Sequence, residues 1–268
     1  MYFSPLQALA CLASFAVVSA SASKSIEQSR HNASLDAWSN LPLNASSPVE
    51  RVQLEFSQNE VYRMHECLKH ARTSNPEGYD NEQQQWIALA SEGWTEINGS
   101  FLEDEVNRHP QFNTSVAING RDSNVHFMAL FSQQPDAIPI VFLHGWPGSF
   151  LDFTGLLDIV RQKYSSKDCP FHLIVPSLPG YAYSAGFPIT RHADMFAVAR
   201  TIDALLTGIG LDNGYIAQGG GMGAYVARLL GSYSPSCEGT PLSLNLRWRV
   251  GRLLTVAKLY MVNLTRPT

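Results

Sequence analysis

Three short segments carry residue types whose spacing could do chemistry. His144-Gly145-Trp146-Pro147-Gly148-Ser149 follows an apolar run, and its glycine and proline would fix a turn in which a backbone N–H points into a cleft. Such a donor, preorganised and aimed where negative charge develops, is what an oxyanion hole requires. A tight turn with no catalytic role fits the same residues. His144 is read as a side chain that bonds backbone rather than as a base. Pro176-Ser177-Leu178-Pro179-Gly180-Tyr181-Ala182-Tyr183-Ser184 is stiffened by its prolines and glycine, and Tyr181 and Tyr183 would either line a pocket or simply pack. Gln218-Gly219-Gly220-Gly221-Met222-Gly223-Ala224 has the frame of a nucleophile elbow. There, small residues flank a strained strand-to-helix turn so that the central side chain projects at the helix N-terminus. Gly219 and Gly223 fill the small positions, but Gly221 stands at the centre and has no side chain with which to attack.

Other residues do not replace the missing nucleophile. Ser184 sits in a loose small-x-Ser-x-small frame, but Phe187-Pro188 follows, so no helix starts there. Asp212 precedes the elbow strand, at its wrong end. Asp152 and Asp158 belong to a surface helix, where a solvated face is the default. No metal-ligand spacing occurs, and the triple glycine lacks the Lys-Ser/Thr of a phosphate-cradling loop, so neither metal nor cofactor is expected.

These motifs need strands and helices to hold them. Ser57-Gln58-Asn59-Glu60 reads as a capping box, with Val61, Met64, Leu68 and Ala71 following at helical spacing. A second helix is predicted from Glu82 to Trp94 with Trp86, Leu89 and Ala90 on its inner face, and a third from Phe101 to Asn107. The period then changes. Val116-Ala117-Ile118 and Val125 to Phe131 read as paired strands with a turn longer than two residues between them. Ile138 to Leu143 is wholly apolar, as a parallel strand buried on both faces would be. A helix from Leu151 to Tyr164, a strand from Phe171 to Val175, and a helix through Met195, Val198, Ile202, Leu205 and Ile209 follow. A strand at Tyr215 to Ala217 and a helix from Met222 to Leu230 complete the alternation. The pattern is that of a parallel α/β sheet entered through an antiparallel pair.

The 268 residues are 45 % hydrophobic and 16 % charged, enough for a sizeable core and too apolar for a disordered chain. A net charge of -4 gives no electrostatic footprint for nucleic acid. The charge is uneven: residues 238–268 hold Arg247, Arg249, Arg252, Lys258 and Arg266 against the single acid Glu238, which sets this tail apart. Arg247 to Val262 mixes basic and apolar residues, either as a membrane-surface helix or as an unrelated reading frame. Leu6 to Val18 is a short apolar run followed by small residues, the pattern of a cleaved signal peptide, or of an anchor if uncleaved. Five Asn-x-Ser/Thr sequons, at Asn32, Asn44, Asn98, Asn113 and Asn263, fit a secretory route, as glycosylation candidates. Without Cys11, the cysteines Cys67, Cys169 and Cys237 allow one bridge and a free thiol, with the pairing open.

From about Pro48 to Gly231 the chain resembles the microsomal-type epoxide hydrolases, an α/β-hydrolase family. The resemblance rests on five pieces in the family's order: Phe101 to Phe112, Ile118-Asn119-Gly120 with His126-Phe127, His144 to Ser149, Pro176 to Ser184, and Gln218 to Gly223. It implies a truncated α/β-hydrolase fold with a helical N-terminal extension. The boundaries read as a signal peptide at 1–22, a flexible lead-in at 23–47, a helical N-terminal region at 48–115, a partial hydrolase core at 116–237 and a divergent basic tail at 238–268. The implied chemistry is two-step opening of small apolar epoxides to vicinal diols, through an ester on an elbow Asp. The backbone N–H groups of Trp146 and Met222 map to its oxyanion hole, and Trp146, Tyr181 and Tyr183 to its pocket. The chain departs from the family at Gly221, where an Asp is expected, and it reaches Thr268 before any lid, relay acid or late His; no histidine follows His192. The expectation is therefore a secretory-pathway glycoprotein, secreted or anchored in the endoplasmic reticulum membrane, that is a pseudoenzyme by descent. The alternatives are an active hydrolase, a non-catalytic binder of an apolar ligand, and a chain that does not fold. A haloalkane dehalogenase fits less well, since it too needs an elbow Asp and lacks the long N-terminal extension.

Overall fold

The computed structural model describes residues 35–42, 44–70, 81–118, 121–187, 194–240 and 247–248. One eight-stranded sheet organises them. Its strands in chain order are β1 (Val49–Val52), β2 (Gln111–Ile118), β3 (Arg121–Leu130), β4 (Ile138–Leu143), β5 (Phe171–Pro176), β6 (Tyr215–Gly219), β7 (Cys237–Thr240) and β8 (Arg247–Trp248). The spatial order is β1-β2-β3-β5-β4-β6-β7-β8. β1, β2, β3 and β5 pair antiparallel, β5, β4, β6 and β7 parallel, and β8 returns antiparallel on β7. The helices are α1 (Gln58–His70), α2 (Asn81–Glu96), α3 (Gly99–Val106), α4 (Thr154–Lys163), α5 (Met195–Gly208) and α6 (Met222–Tyr233), with a 3₁₀ turn at Phe150–Phe153.

Alternation along the central strands splits the core in two, since successive side chains leave a strand on opposite faces. Val141 and Leu143 of β4, Phe127 and Ala129 of β3 and Ile174 of β5 pack with α5 and α6 on one face. Ile140 and Phe142, Met128 and Leu130, and Leu173 and Val175 pack with α4 on the other. Both faces of β4 are apolar because both are covered, which is the sequence signature of a buried parallel strand. Asp203 of α5 accepts hydrogen bonds from Tyr215 OH (2.7 Å) and Ser234 OH (2.6 Å), tying the start of β6 to the end of α6.

Several expectations need correction. The strands β2 and β3 stay in register to Ile118↔Arg121, so only Asn119 and Gly120 separate them and the connection is the two-residue one. The polar run Asp122-Ser123-Asn124 disguised the start of β3, yet a backbone ladder tolerates polar side chains where one face is open. β2 begins at Gln111, so the boundary at 115/116 falls inside it, and β1 adds a further strand to a region read as helical. On α2 the inner stripe is shifted by one residue. Trp86 and Leu89 are 58 % and 61 % exposed, while Ile87, Ala90 and Trp94 are partly buried and Trp94 packs towards α1. The strand β7 crosses the 237/238 boundary, so the basic tail begins inside the sheet. The three cysteines are free thiols: Cys67 is exposed, Cys169 buried, and no bridge joins them.

The lead-in is likewise not loose where it is described. Trp38 is 3 % exposed in the core beside Leu54 and Val106, and its carbonyl accepts the Phe131 N–H at 2.9 Å. Arg51 bonds Asp36, and the Ser46 and Ser47 N–H groups both reach the Gly208 carbonyl at 2.9 Å. A large indole outweighs the Ser/Asn/Ala composition around it. The signal region 1–22, residues 23–34, Asn32, Asn263 and the tail beyond Trp248 lie outside the described residues. No helix among the described residues is long and apolar enough to cross a membrane.

Two outcomes follow from this packing. Trp38→Ala should lower unfolding free energy by about 3–5 kcal/mol, the usual cost of emptying a large aromatic site. Chemical denaturation checks it, and a loss below about 0.5 kcal/mol would restore the flexible lead-in. Burial pushes His126 down to about 3 and His172 to about 4, below the ordinary value of about 6.5. The unfolded chain therefore takes up protons first, so stability is complete above pH 6.5 and falls as pH drops towards 3. At pH 5 the expected loss is about 2 kcal/mol per histidine, read as a falling melting temperature between pH 7 and 5. A flat profile there would contradict it.

Candidate functional site

Adjacent parallel strands bring the first and third motifs together. β4 and β6 run side by side to Leu143↔Gly219, so the turns leaving their C-terminal ends meet. Ligands of open α/β sheets bind outside such ends. The meeting is backbone on backbone. A Cβ on Gly223 would collide with the Leu143 carbonyl oxygen, and one on Gly219 with the Gly223 carbonyl. A Cβ on Gly145 would come within 2.8 Å of the Gly220 oxygen. Three glycines thus permit an approach that no other residue would allow, and Gly220 N–H reaches the Leu143 carbonyl at 3.3 Å.

Gly221 differs from them. It sits at φ 52°, ψ -122° as the residue before α6, a left-handed conformation that side-chain-bearing residues adopt only under strain. Space is not what excludes a side chain: a Cβ would lie 3.5 Å from Gly145 Cα and 4.0 Å from Trp146 N, ordinary contact distances. The elbow therefore keeps its bent backbone and its opening while the projecting side chain is absent. The Trp146 nitrogen borders this opening. Met222 adjoins it as the first residue of α6, with no carbonyl inside the helix for its N–H to bond. The next two amides are engaged, Gly223 N–H with Gly220 O (2.9 Å) and Ala224 N–H with Gly221 O (3.2 Å). The Trp146–Pro147 peptide is cis. Ser149 and Asp152 cap each other's turn: Ser149 Oγ accepts the Leu151 N–H at 3.3 Å, and Asp152 bonds the Ser149 backbone. Burial raises the Asp152 carboxyl above its ordinary value.

The second motif joins through His144. That ring is buried; its Nε2 accepts the Leu178 N–H at 3.1 Å and its Nδ1 donates to Gly145 O at 3.1 Å. Burial lowers its pKa, so it is a neutral tether between two loops, as the sequence predicts. Tyr181 packs edge-on against His144, 4.9 Å between centroids, with its hydroxyl 3.4 Å from Met222 Sδ. Tyr183 does not converge with it. It packs against His126 (5.2 Å) and Phe150 (6.2 Å) in the core on the other face, and burial pushes its phenol up to about 12. Of the three expected pocket residues, Tyr181 and Trp146 flank the elbow, and Trp146 is 61 % exposed.

Among the sequons, Asn98 and Asn44 are exposed, Asn98 with its Oδ1 capping α3 through the Phe101 N–H at 2.8 Å. Asn113 lies on β2 between two strands with its Oδ1 buried. Ser184 is committed to structure: its Oγ donates to Ser177 O (2.7 Å) and accepts the His126 N–H (3.0 Å). Asp212 is exposed before β6, away from the elbow. Asp158 is not on a solvated face. It pairs with Arg108 Nη2 at 2.7 Å and His109 Nε2 at 3.2 Å. Burial opposes its charge, but His109, Arg108 and Arg161 prevail and hold its carboxyl below the usual range. Sequence reasoning also missed the buried chain Ser177 Oγ–His126 Nδ1 (2.9 Å) and His126 Nε2–Gln111 Oε1 (3.0 Å), which fastens the second motif's loop to β2 and β3. The His126-Phe127 pair is its local sign in the sequence. Among the described residues no three His, Cys, Asp or Glu side chains cluster to hold a metal.

Known proteins share this fold. The family model described as epoxide hydrolase N terminus matches residues 49–153. Epoxide hydrolase 1 of Oryctolagus cuniculus is 31 % identical over 223 residues, 78 % of this chain and 47 % of that protein. The solved Aspergillus niger epoxide hydrolase superposes with a TM-score of 0.71 at 33 % identity, covering 79 % of this chain and 56 % of that one. The juvenile hormone epoxide hydrolase of the silkworm Bombyx mori shares the fold, with a TM-score of 0.61 at 24 % identity over 73 % of this chain and 53 % of that one. The chain spans about half the length of the relatives it matches. With that family model matched and about a third of the aligned residues identical, the chain belongs to the epoxide hydrolase family and has its α/β-hydrolase fold.

Proposed function

We propose that this chain keeps the epoxide hydrolase scaffold without its covalent chemistry: a secretory-pathway glycoprotein that does not hydrolyse epoxides. Gly221 carries the reading. The family's first step is attack by an elbow carboxylate, and glycine offers no atom to make that bond. Losing a nucleophile typically lowers kcat by on the order of 10⁴–10⁶. The N–H groups of Trp146 and Met222 would still face negative charge at the opening, but they stabilise an oxyanion only after a nucleophile has attacked. The apolar run Leu6 to Val18 and the exposed sequons Asn44 and Asn98 support the secretory route, with membrane attachment if that run is retained.

A second reading is binding of a small apolar epoxide or similar ligand without turnover. Trp146, 61 % exposed beside Tyr181 and Met222, favours it. A solvent-facing indole there is apolar surface that a ligand would cover.

With a small apolar epoxide in excess, the full chain should give diol at no more than the buffer rate, and intact-protein mass spectrometry should find no ester adduct. Turnover above background would overturn the proposal. Gly221→Asp should cost about 1–3 kcal/mol of stability, because a side chain must take up the left-handed turn; an unchanged denaturation midpoint would contradict the strained geometry. Quenching of indole emission on ligand titration, abolished in Trp146→Phe, is the expected sign of the binding reading, and no change would dismiss it.

A further inference from the structure

A polar cleft opens at the opposite end of the sheet from the elbow, where β4 and β5 begin. It encloses about 480 Å³, within the range of small-molecule sites. Asn40, Asn213, Gln133 and Gln134 supply amides to its wall, and Leu41 and Pro139 supply apolar surface. His172 adds a donor: its Nδ1 accepts the Ser132 N–H at 3.1 Å, so the proton of the neutral ring is on Nε2. Alternating amides and CH surface suit a sugar, which presents hydroxyls around its edge and hydrogens on its faces.

Asn44 lines this cleft, is exposed, and begins the sequon Asn44-Ala45-Ser46. The backbone around it is fixed. Gly210, at φ 89°, lets the chain pass so closely that a Cβ there would lie 2.9 Å from the Asn44 carbonyl carbon. The Ser46 and Ser47 N–H groups then anchor on Gly208 O. Asn98 is exposed as well but is not among the residues that line this cleft, and the side chain of Asn113 is partly withdrawn between strands.

We infer that Asn44 carries an N-linked glycan whose first sugars lie in this cleft and brace the lead-in against β4 and β5. The inference rests on the secretory reading above. In the modification, Asn44 Nδ2 loses a proton to solvent and bonds the anomeric carbon of an oligosaccharide. That carbon's bond to a lipid pyrophosphate carrier breaks, and the carrier takes the electron pair; nothing is oxidised or reduced.

The full chain would be made in eukaryotic cells twice, once with its own N-terminus and once behind a foreign cleavable export signal. Glycans would be released from the native protein by peptide N-glycanase in ¹⁸O water, and each site followed by peptide mass. Both arms should be modified at Asn44 and Asn98, with the Asn44 glycan released at least about tenfold more slowly. The cleft variant Asn40→Ala with Asn213→Ala, which leaves every sequon intact, should bring the two rates together. Modification in the second arm alone overturns the secretory reading, and with it the glycan on this chain. A bare Asn44 beside a modified Asn98, or equal release rates in the parent protein, overturns the seat in the cleft and leaves the secretory reading standing.

Discussion

The contact on which the rest of the molecule depends is the backbone approach between the turn after β4 and the elbow after β6. Gly145, Gly219 and Gly223 allow carbonyls and amides of two adjacent strand exits to touch where any Cβ would intrude. That approach sets the spacing of β4 and β6 at their C-terminal ends, directs α6 back across the sheet, and leaves one opening, at Gly221. The two buried clusters then hold the strands in place from either face. His144 and His126 fasten the second motif's loop to the same frame through neutral, fully used rings.

On the proposed reading, the elbow keeps its fold but not its chemistry at one position, Gly221. The glycines that cannot be changed without collision serve the fold, and they are present. The residue that could carry a side chain without collision would serve the chemistry, and it is also glycine. Its bent backbone is relaxed by that choice, because the left-handed turn that would strain a nucleophile suits glycine. A hydrolase scaffold with an open, unstrained elbow is thus physically self-consistent, and the vacancy asks nothing of the surrounding core.

Local signals were the legible ones. The three motifs, the apolar β4 run, the helix at Met195 and the elbow frame can be read from neighbouring residues, because turns and buried strands write their requirements into a few consecutive positions. What depended on distant partners could not be read. Trp38 is buried in a cluster whose other buried members run from Leu54 to Ile216, and nothing beside it announces that. Asp158 looks solvated on its own helix until Arg108 and His109 arrive from a turn some fifty residues earlier. On α2, stripes through Trp86 or through Ile87 are both helical; only the position of α1 decides between them. Tyr183 and Tyr181 share a motif but leave the loop towards opposite faces, which spacing alone does not specify. The hairpin at Asn119-Gly120 was hidden by polar residues that the sheet accepts.

The most direct test compares unfolding of Gly223→Ala with that of Gly221→Ala, one methyl added at each of two glycines two residues apart. Alanine at 223, driven into the Leu143 carbonyl, should leave little folded protein. Alanine at 221, with ordinary clearance, should keep a cooperative transition and lose only about 1–3 kcal/mol to backbone strain. Equal losses at the two positions, or a greater loss at 221, would contradict the claim that close backbone packing at Gly223 holds the frame while Gly221 leaves room for a side chain.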